Sequence, residues 1–183
     1  MSVIAGSARS MPLRTVKGLD VRPTTDRTKE TLFNILMPRV PNCRFLDIFA
    51  GSGSIGIEAL SRGAACAWFV ENARASQNLI LENLAFTHLN ENAKLLKGDA
   101  GSVLRKIEGS EPFDIIFMDP PFDHGLERDI LAYLSHSTLP AMDGIIVVEA
   151  SPKTDFSYLD SFGYEKINER VYAKSEHIFL VRR

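Results

Sequence analysis

The sequence predicts an α/β fold: a seven-stranded, mostly parallel sheet with helices on both faces and a C-terminal antiparallel hairpin. Three observations predict it. From residue 44 to about residue 150, short apolar runs alternate with helical patterns, the rhythm of strand–helix units whose crossovers enforce parallel pairing. Residues 45–60 read as a buried strand that ends in a glycine loop and restarts as a helix. Near the end, Tyr164–Tyr172 and Ser175–Arg182 are β-rich runs a couple of residues apart. That gap is too short for a helical crossover, so these two strands pair antiparallel.

Taken in order, residues 1–23 begin with Val3-Ile4-Ala5-Gly6 and continue rich in Gly, Ser, Pro and Arg up to Arg22-Pro23, a short strand or hairpin followed by a loop. Thr24-Thr25-Asp26-Arg27 offers N-caps for a helix over Asp26–Met37 with Leu32, Phe33, Ile35 and Leu36 on its apolar face. Pro38 and Pro41 end it and lead into a strand at Arg44–Ile48. The helix after Gly53 runs to about Ser61, with Gly63 as its left-handed C-terminal cap. A second strand, Ala65–Val70, ends at Glu71, and a helix over Ala73–Leu84 buries Leu79, Ile80 and Leu84. A third strand, Ala93–Lys97, runs into Gly98-Asp99 and a short helix, Ser102–Ile107. The fourth, Phe113–Met118, runs directly into Asp119-Pro120-Pro121-Phe122; helix Leu126–Leu134 and a fifth strand at Gly144–Glu149 follow.

Length and composition bound the function. At 183 residues, 45% hydrophobic and 24% charged, the chain suits one well-filled core and argues against global disorder. No apolar run approaches the roughly eighteen residues that span a bilayer. The N-terminus lacks a basic-then-apolar leader, so a cytoplasmic protein is expected. Cys43 and Cys66 have no metal-like spacing, and His88, His124, His136 and His177 form no ligand pattern, so no metal is expected. His124 reads as a surface loop residue. Charge is uneven: residues 1–44 carry eight Lys or Arg against three Asp or Glu, so a chain of net charge −2 has a basic segment of +5 on a body of −7. The expected organisation is a basic extension, 1–41, that faces a polyanion, and a ligand-binding domain, 42–183.

In an open parallel sheet, ligands bind beyond the carboxyl ends of the strands. Polar residues gather at that rim: Asp47 with the glycine loop, then Glu71, Asp99 and Asp119. Gly51, Gly53 and Gly56 fit G-x-G-x-x-G, which lets backbone approach a nucleotide-like ligand closely. Glu71, twenty residues after Gly51, can accept both hydroxyls of a ribose. Asp99 is placed to receive an adenine amino group, and Asp47 to hold the turn through loop N–H groups. Asp119-Pro120-Pro121-Phe122 matches what methylation of an exocyclic amine demands. The Asp119 carboxylate and the Pro120 carbonyl can accept the amine's two hydrogens and aim its lone pair. Pro121 stiffens the loop, and Phe122 offers a face on which an extruded base stacks.

Phe49-Ala50-Gly51-Ser52-Gly53 together with Asp119-Pro120-Pro121-Phe122 resembles the S-adenosylmethionine-dependent amino-methyltransferases of nucleic acids. Arg22-Pro23-Thr24-Thr25-Asp26-Arg27, Glu30-Thr31-Leu32-Phe33-Asn34, Leu46–Gly53 and Glu58-Ala59-Leu60-Ser61-Arg62-Gly63 narrow this: over essentially its whole length the chain is similar to the RsmD family. The resemblance implies a Rossmann-like methyltransferase fold, S-adenosylmethionine as cofactor, and methyl transfer to N2 of a guanine, of the guanine-966 type, in 16S ribosomal RNA. It implies a cofactor site of Asp47, Phe49, Ala50, Gly51, Ser52, Gly53, Glu71, Asn72, Asp99 and Ala100. The implied catalytic set is Asp119, Pro120, Pro121 and Phe122, with RNA contacts from Arg9, Arg14, Arg22, Thr24 and Arg27. Where the family commonly has an Arg-Gly pair near the N-terminus, Ser7-Ala8-Arg9-Ser10-Met11 keeps the arginine without that glycine.

Two other readings share parts of this pattern. A DNA adenine or cytosine amino-methyltransferase would carry the same loop and an Asp-Pro-Pro-aromatic sequence, but the chain has no room for a sizeable target-recognition insert. A nicotinamide-dependent oxidoreductase would own the glycines and Glu71, but would need a second nucleotide-binding half or a substrate domain, whereas this chain closes with a hairpin. A monomer acting on the small ribosomal subunit or an assembly intermediate is the expectation.

Overall fold

Seven strands form one sheet in the order β3-β2-β1-β4-β5-β7-β6. This computed structural model describes residues 1–15, 25–122 and 124–183. The strands are β1 (Arg44–Ile48), β2 (Cys66–Glu71), β3 (Ala93–Lys97), β4 (Phe113–Met118), β5 (Pro140–Ala150), β6 (Tyr164–Val171) and β7 (Glu176–Arg182). The five from β1 to β5 pair parallel, and β7 lies antiparallel between β5 and β6. The Rossmann-like architecture and its closing hairpin are those expected. Strand order reverses at β1, whose neighbours are β2 and β4, and this switch point opens a crevice at the carboxyl ends of both.

Alternation along the strands divides the core in two. Phe45, Phe69, Ile115, Phe117, Val147 and Phe179 face helices α1 (Asp26–Leu36), α2 (Ser54–Ser61) and α3 (Arg74–Thr87). Leu46, Val70, Ile116, Met118, Val148 and Leu180 face α4 (Ala100–Ile107) and α5 (Leu126–Leu134). Tyr164 at the start of β6 joins the second face and donates from its hydroxyl to the Leu131 carbonyl at 2.8 Å, which ties the hairpin to α5.

The N-terminal residues belong to the first core. Val3, Ala8 and Leu13 are buried with Leu32, Phe33 and Leu36 of α1. Ser2 and Pro12 form an antiparallel bridge, so the arm is a minimal hairpin. Glu58 of α2 holds it, accepting from the N–H of Ile4 at 2.8 Å and of Ala5 at 3.1 Å. The Ser61 hydroxyl accepts from the Ala8 N–H at 2.9 Å and donates to the Ala5 carbonyl at 2.6 Å. Lys29, fully buried on α1, donates to the Ser2 carbonyl at 2.5 Å and lies 3.2 Å from Glu58, which also accepts from Arg62 Nε at 2.7 Å. Burial pushes the Lys29 pKa down, and the Glu58 carboxylate opposes that shift.

Several boundaries differ from the sequence reading. Strand β5 starts at Pro140, not Gly144, because Phe113 pairs with Pro140 and the register shifts before Ile115 pairs with Ile145. Gly144 sits inside that irregularity, where an added Cβ would lie 3.0 Å from the Ala141 carbonyl oxygen. Helix α3 continues past Leu84 to Thr87 and ends where His88 turns left-handed (φ 57°), and Leu79 is half-buried rather than buried. Helix α4 begins at Ala100, since Asp99 caps it by accepting from the Ser102 N–H at 3.0 Å.

Candidate functional site

The glycine loop is fastened to the ends of three strands. At its start, Phe49 takes φ 62°, a left-handed conformation that costs a side chain about 1–2 kcal/mol. Ala50 N–H then donates to the Val70 carbonyl at the end of β2 (3.1 Å), and Gly53 N–H closes a turn on the Ala50 carbonyl (2.7 Å). On the other side, Asp119 N–H donates to the Ile48 carbonyl at 3.3 Å. This bond sets the Asp-Pro-Pro-Phe turn, at the end of β4, directly against the residue that precedes the loop.

The three glycines do different work. Gly51 (φ +56°) faces open space: an added Cβ would meet nothing within 4 Å. Gly53 (φ +77°) is the left-handed N-cap of α2. Gly56 lies inside α2, where a Cβ would fall 2.3 Å from Cε1 of Phe69, so the missing side chain lets the helix settle onto β2. Its N–H donates to the Asp47 carboxylate at 2.9 Å. Asp47 is almost wholly buried, and that burial raises its pKa to about 7; the Gly56 bond pulls it down, and the negative charge of Glu71 pushes it up.

Glu71 stands beside the open position. One carboxylate oxygen accepts from Gly51 N–H at 2.8 Å and the other from Ala73 N–H at 2.8 Å. Each oxygen keeps a second lone pair for a ligand hydroxyl. The side-chain amide of Gln77 donates to the carbonyls of Glu71 and Asn72 at 2.9 and 3.1 Å and fixes their peptides. Asp99 is exposed and holds its carboxylate toward the start of α4; the Ser102 N–H keeps its pKa below the usual value. Ala100 is buried behind it. Pro120 is buried, Asp119 and Phe122 half-buried, and Pro121 exposed.

These residues fit an adenosyl cofactor. A loop with open space above Gly51, a carboxylate bonded to that same glycine, and a second acid one strand further on match a nucleoside with a ribose diol. A surface cavity of about 400 Å³ lies at the opposite end of the sheet between Arg39, Cys43, Asp114 and Met142. It is remote from this rim. No group of three or more His, Cys, Asp or Glu able to hold a metal ion occurs among the described residues. His124 is exposed, and Cys43 and Cys66 are free thiols.

Of the residues expected at RNA, Arg22 and Thr24 lie outside the described residues. Arg9 and Arg27 are exposed, and the exposed Arg14 pairs with Glu82 at 2.8 Å. Sequence reasoning missed Asn83, Lys29 and Glu58. Their one signal is polarity at apolar helical positions: Asn83 shares its face with Ile80, Leu84 and Thr87, and Lys29 with Leu32, Phe33 and Leu36.

Fold and rim together define a Rossmann-like, S-adenosylmethionine-dependent methyltransferase. The pattern of the family described as Conserved hypothetical protein 95 matches residues 1–181, and the chain belongs to this family, the RsmD family. The Escherichia coli K12 protein named Ribosomal RNA small subunit methyltransferase D is 40% identical over 148 residues, which are 81% of this chain and 73% of that one. The solved structure of yhhF from Escherichia coli superposes with a TM-score of 0.85 at 36% identity, covering 100% of this chain and 98% of that one. A solved structure from Thermus thermophilus gives a TM-score of 0.84 at 29% identity, covering 100% of this chain and 99% of that one.

Proposed function

We propose that the chain transfers a methyl group from S-adenosylmethionine to the exocyclic N2 of a guanine in 16S ribosomal RNA. The observation that carries this reading is the Asp119–Ile48 hydrogen bond, which sets Asp119-Pro120-Pro121-Phe122 against the glycine loop. Relatives named as small-subunit ribosomal RNA methyltransferases support the substrate class. The guanine-966 type and the N2 atom rest on the family resemblance.

The bound cofactor supplies an electrophilic methyl group on a sulfonium. The residues that hold it are the loop Phe49–Gly53, Glu71 and Asn72 at the end of β2, and Asp99 and Ala100 at the start of α4, while Asp47 keeps the loop in shape from below. Glu71 accepts the ribose hydroxyls with the lone pairs that Gly51 and Ala73 leave. Asp99 accepts from the adenine amino group. The target guanine is extruded and stacks on Phe122. Asp119 and the Pro120 carbonyl accept its two N2 hydrogens, which frees the nitrogen lone pair to point at the methyl donor. The cofactor would supply that methyl group to N2, its sulfur keeping the electron pair, and the surplus N2 proton would pass to solvent. Residues 1–41 bind the RNA, Arg9, Arg14, Arg22 and Arg27 meeting phosphates to fix register and Thr24 adding a further contact. The protein acts as a cytoplasmic monomer on the small subunit or its assembly intermediate.

The test is methylation of small-subunit ribosomal RNA and of duplex DNA by wild type and Asp119→Ala, with calorimetric titration of S-adenosylmethionine. Transfer to ribosomal RNA alone, lost in Asp119→Ala while cofactor binding persists, is the expected result. Full activity in that variant, or methylation of DNA in preference, overturns the assignment.

A further inference from the structure

The glycine loop and the N-terminal arm meet at one buried amide. Asn83 on α3 is 1% exposed. Its side-chain nitrogen donates to the Ser52 carbonyl in the loop at 2.9 Å and to the Arg14 carbonyl in the arm at 3.0 Å. Its side-chain oxygen accepts from the Arg14 N–H at 2.9 Å. Both donor hydrogens and an acceptor lone pair are thus engaged, and the Arg14 peptide is clasped at two points. The Asn83 backbone is anchored in turn, since the Thr87 hydroxyl donates to its carbonyl at 2.8 Å.

We propose that Asn83 is a positioning residue that couples cofactor binding to RNA binding. The inference rests on the functional reading above, in which Ser52 belongs to the cofactor loop and Arg14 to the RNA-facing segment. Ser52 stands between Gly51 and Gly53, where that reading seats the ligand. One rigid amide spans the two carbonyls, so the geometry that satisfies Ser52 also satisfies Arg14; a loop displaced by an ångström leaves a buried donor or acceptor unpaired on one side. The arm's other side-chain ties, to Glu58 and Ser61 of α2, Asp26 and Lys29 of α1 and Glu82 of α3, reach helices rather than the loop backbone. Linkage then requires reciprocity: cofactor tightens RNA, and RNA tightens cofactor by the same factor.

The experiment measures affinity for a small-subunit ribosomal RNA transcript at fixed salt, with and without saturating S-adenosylhomocysteine. In wild type the nucleoside tightens RNA binding about fivefold or more. In Asn83→Ala the ratio falls to near one, and KM rises for both substrates by a larger factor than kcat falls. Asn83→Asp, which keeps the acceptor for Arg14 N–H but turns an oxygen toward two carbonyls, does no better. Should α3 fail to fold around these changes, Arg14→Pro, which removes the N–H that Asn83 accepts and fixes φ, loses the ratio that Arg14→Ala, which retains that N–H, keeps. A wild-type ratio of one, or a ratio that survives in Asn83→Ala, overturns the coupling. Failure of the wild type to bind S-adenosylhomocysteine or to methylate ribosomal RNA overturns the functional reading instead, so the two failures are distinct.

Discussion

Gly51 and Gly56 stand five residues apart and are expected to fail in opposite ways when given a methyl group. In Gly56→Ala the new Cβ falls 2.3 Å from Cε1 and 2.7 Å from Cζ of Phe69, a fully buried ring. Carbon pairs rest at about 3.5–4.0 Å, so the overlap exceeds an ångström and helix α2 must lift from β2. Overpacking of this kind costs about 1–3 kcal/mol, and the better helix propensity of alanine returns about 0.8–1.0. A net loss of up to roughly 2 kcal/mol lowers Tm by up to about 8 °C in a chain of this length. In Gly51→Ala the Cβ meets nothing within 4 Å, and the cost is the left-handed φ of +56°, about 1–2 kcal/mol. The stabilities are therefore similar, and ligand binding separates them. Gly51→Ala places its methyl in the open space proposed for the cofactor and weakens S-adenosylmethionine binding by about tenfold or more, whereas folded Gly56→Ala binds it with near-native affinity. Calorimetric titration alongside thermal unfolding reads both. Adding Phe69→Leu to Gly56→Ala should restore part of the lost Tm. Native binding by Gly51→Ala, or no recovery with Phe69→Leu, refutes these assignments.

Other consequences follow from buried charge. Glu58→Ala strands the buried Lys29 ammonium and frees the arm; breaking such a pair costs about 3–5 kcal/mol, read as a fall in urea midpoint, and a loss under about 1 kcal/mol would show the cluster relaxes without it. Asp47 has a folded pKa raised to about 7, so the folded state holds the proton more tightly than the unfolded chain. Its effect on stability is therefore fully present below about pH 4 and is lost as pH rises toward 7, at up to about 1.4 kcal/mol per unit. Asp47→Asn keeps an acceptor for Gly56 N–H and removes that slope, so its stability relative to wild type improves between about pH 4 and pH 7 in urea unfolding; parallel curves would assign the slope elsewhere.

Much of this fold is legible in the amino-acid sequence. Strands Arg44–Ile48, Ala93–Lys97 and Phe113–Met118 and helix Leu126–Leu134 lie where apolar runs meet Pro, Gly and Asp punctuation, because these segments are buried and their ends are loops. The rim followed from strand order alone, since successive parallel strands end on one side. What stayed hidden are contacts between distant residues. Asn83 meets Arg14 across 69 positions and Glu58 meets Ile4 across 54, and nothing local marks a polar residue on an apolar stripe as partnered. Strand β5 reads short in the sequence because proline and glycine mimic breakers, whereas here they accompany a register shift.

Strand β7 is made after β6 yet lies inside it, between β5 and β6. Without β7, β6 has no partner in the sheet and β5 shows an open ladder on its far side. Both edges wait for Glu176–Arg182, which pairs with the two of them at once. One strand thus satisfies two edges, and with β7 out of place both β5 and β6 present unpaired N–H and C=O groups, templates for pairing with another chain.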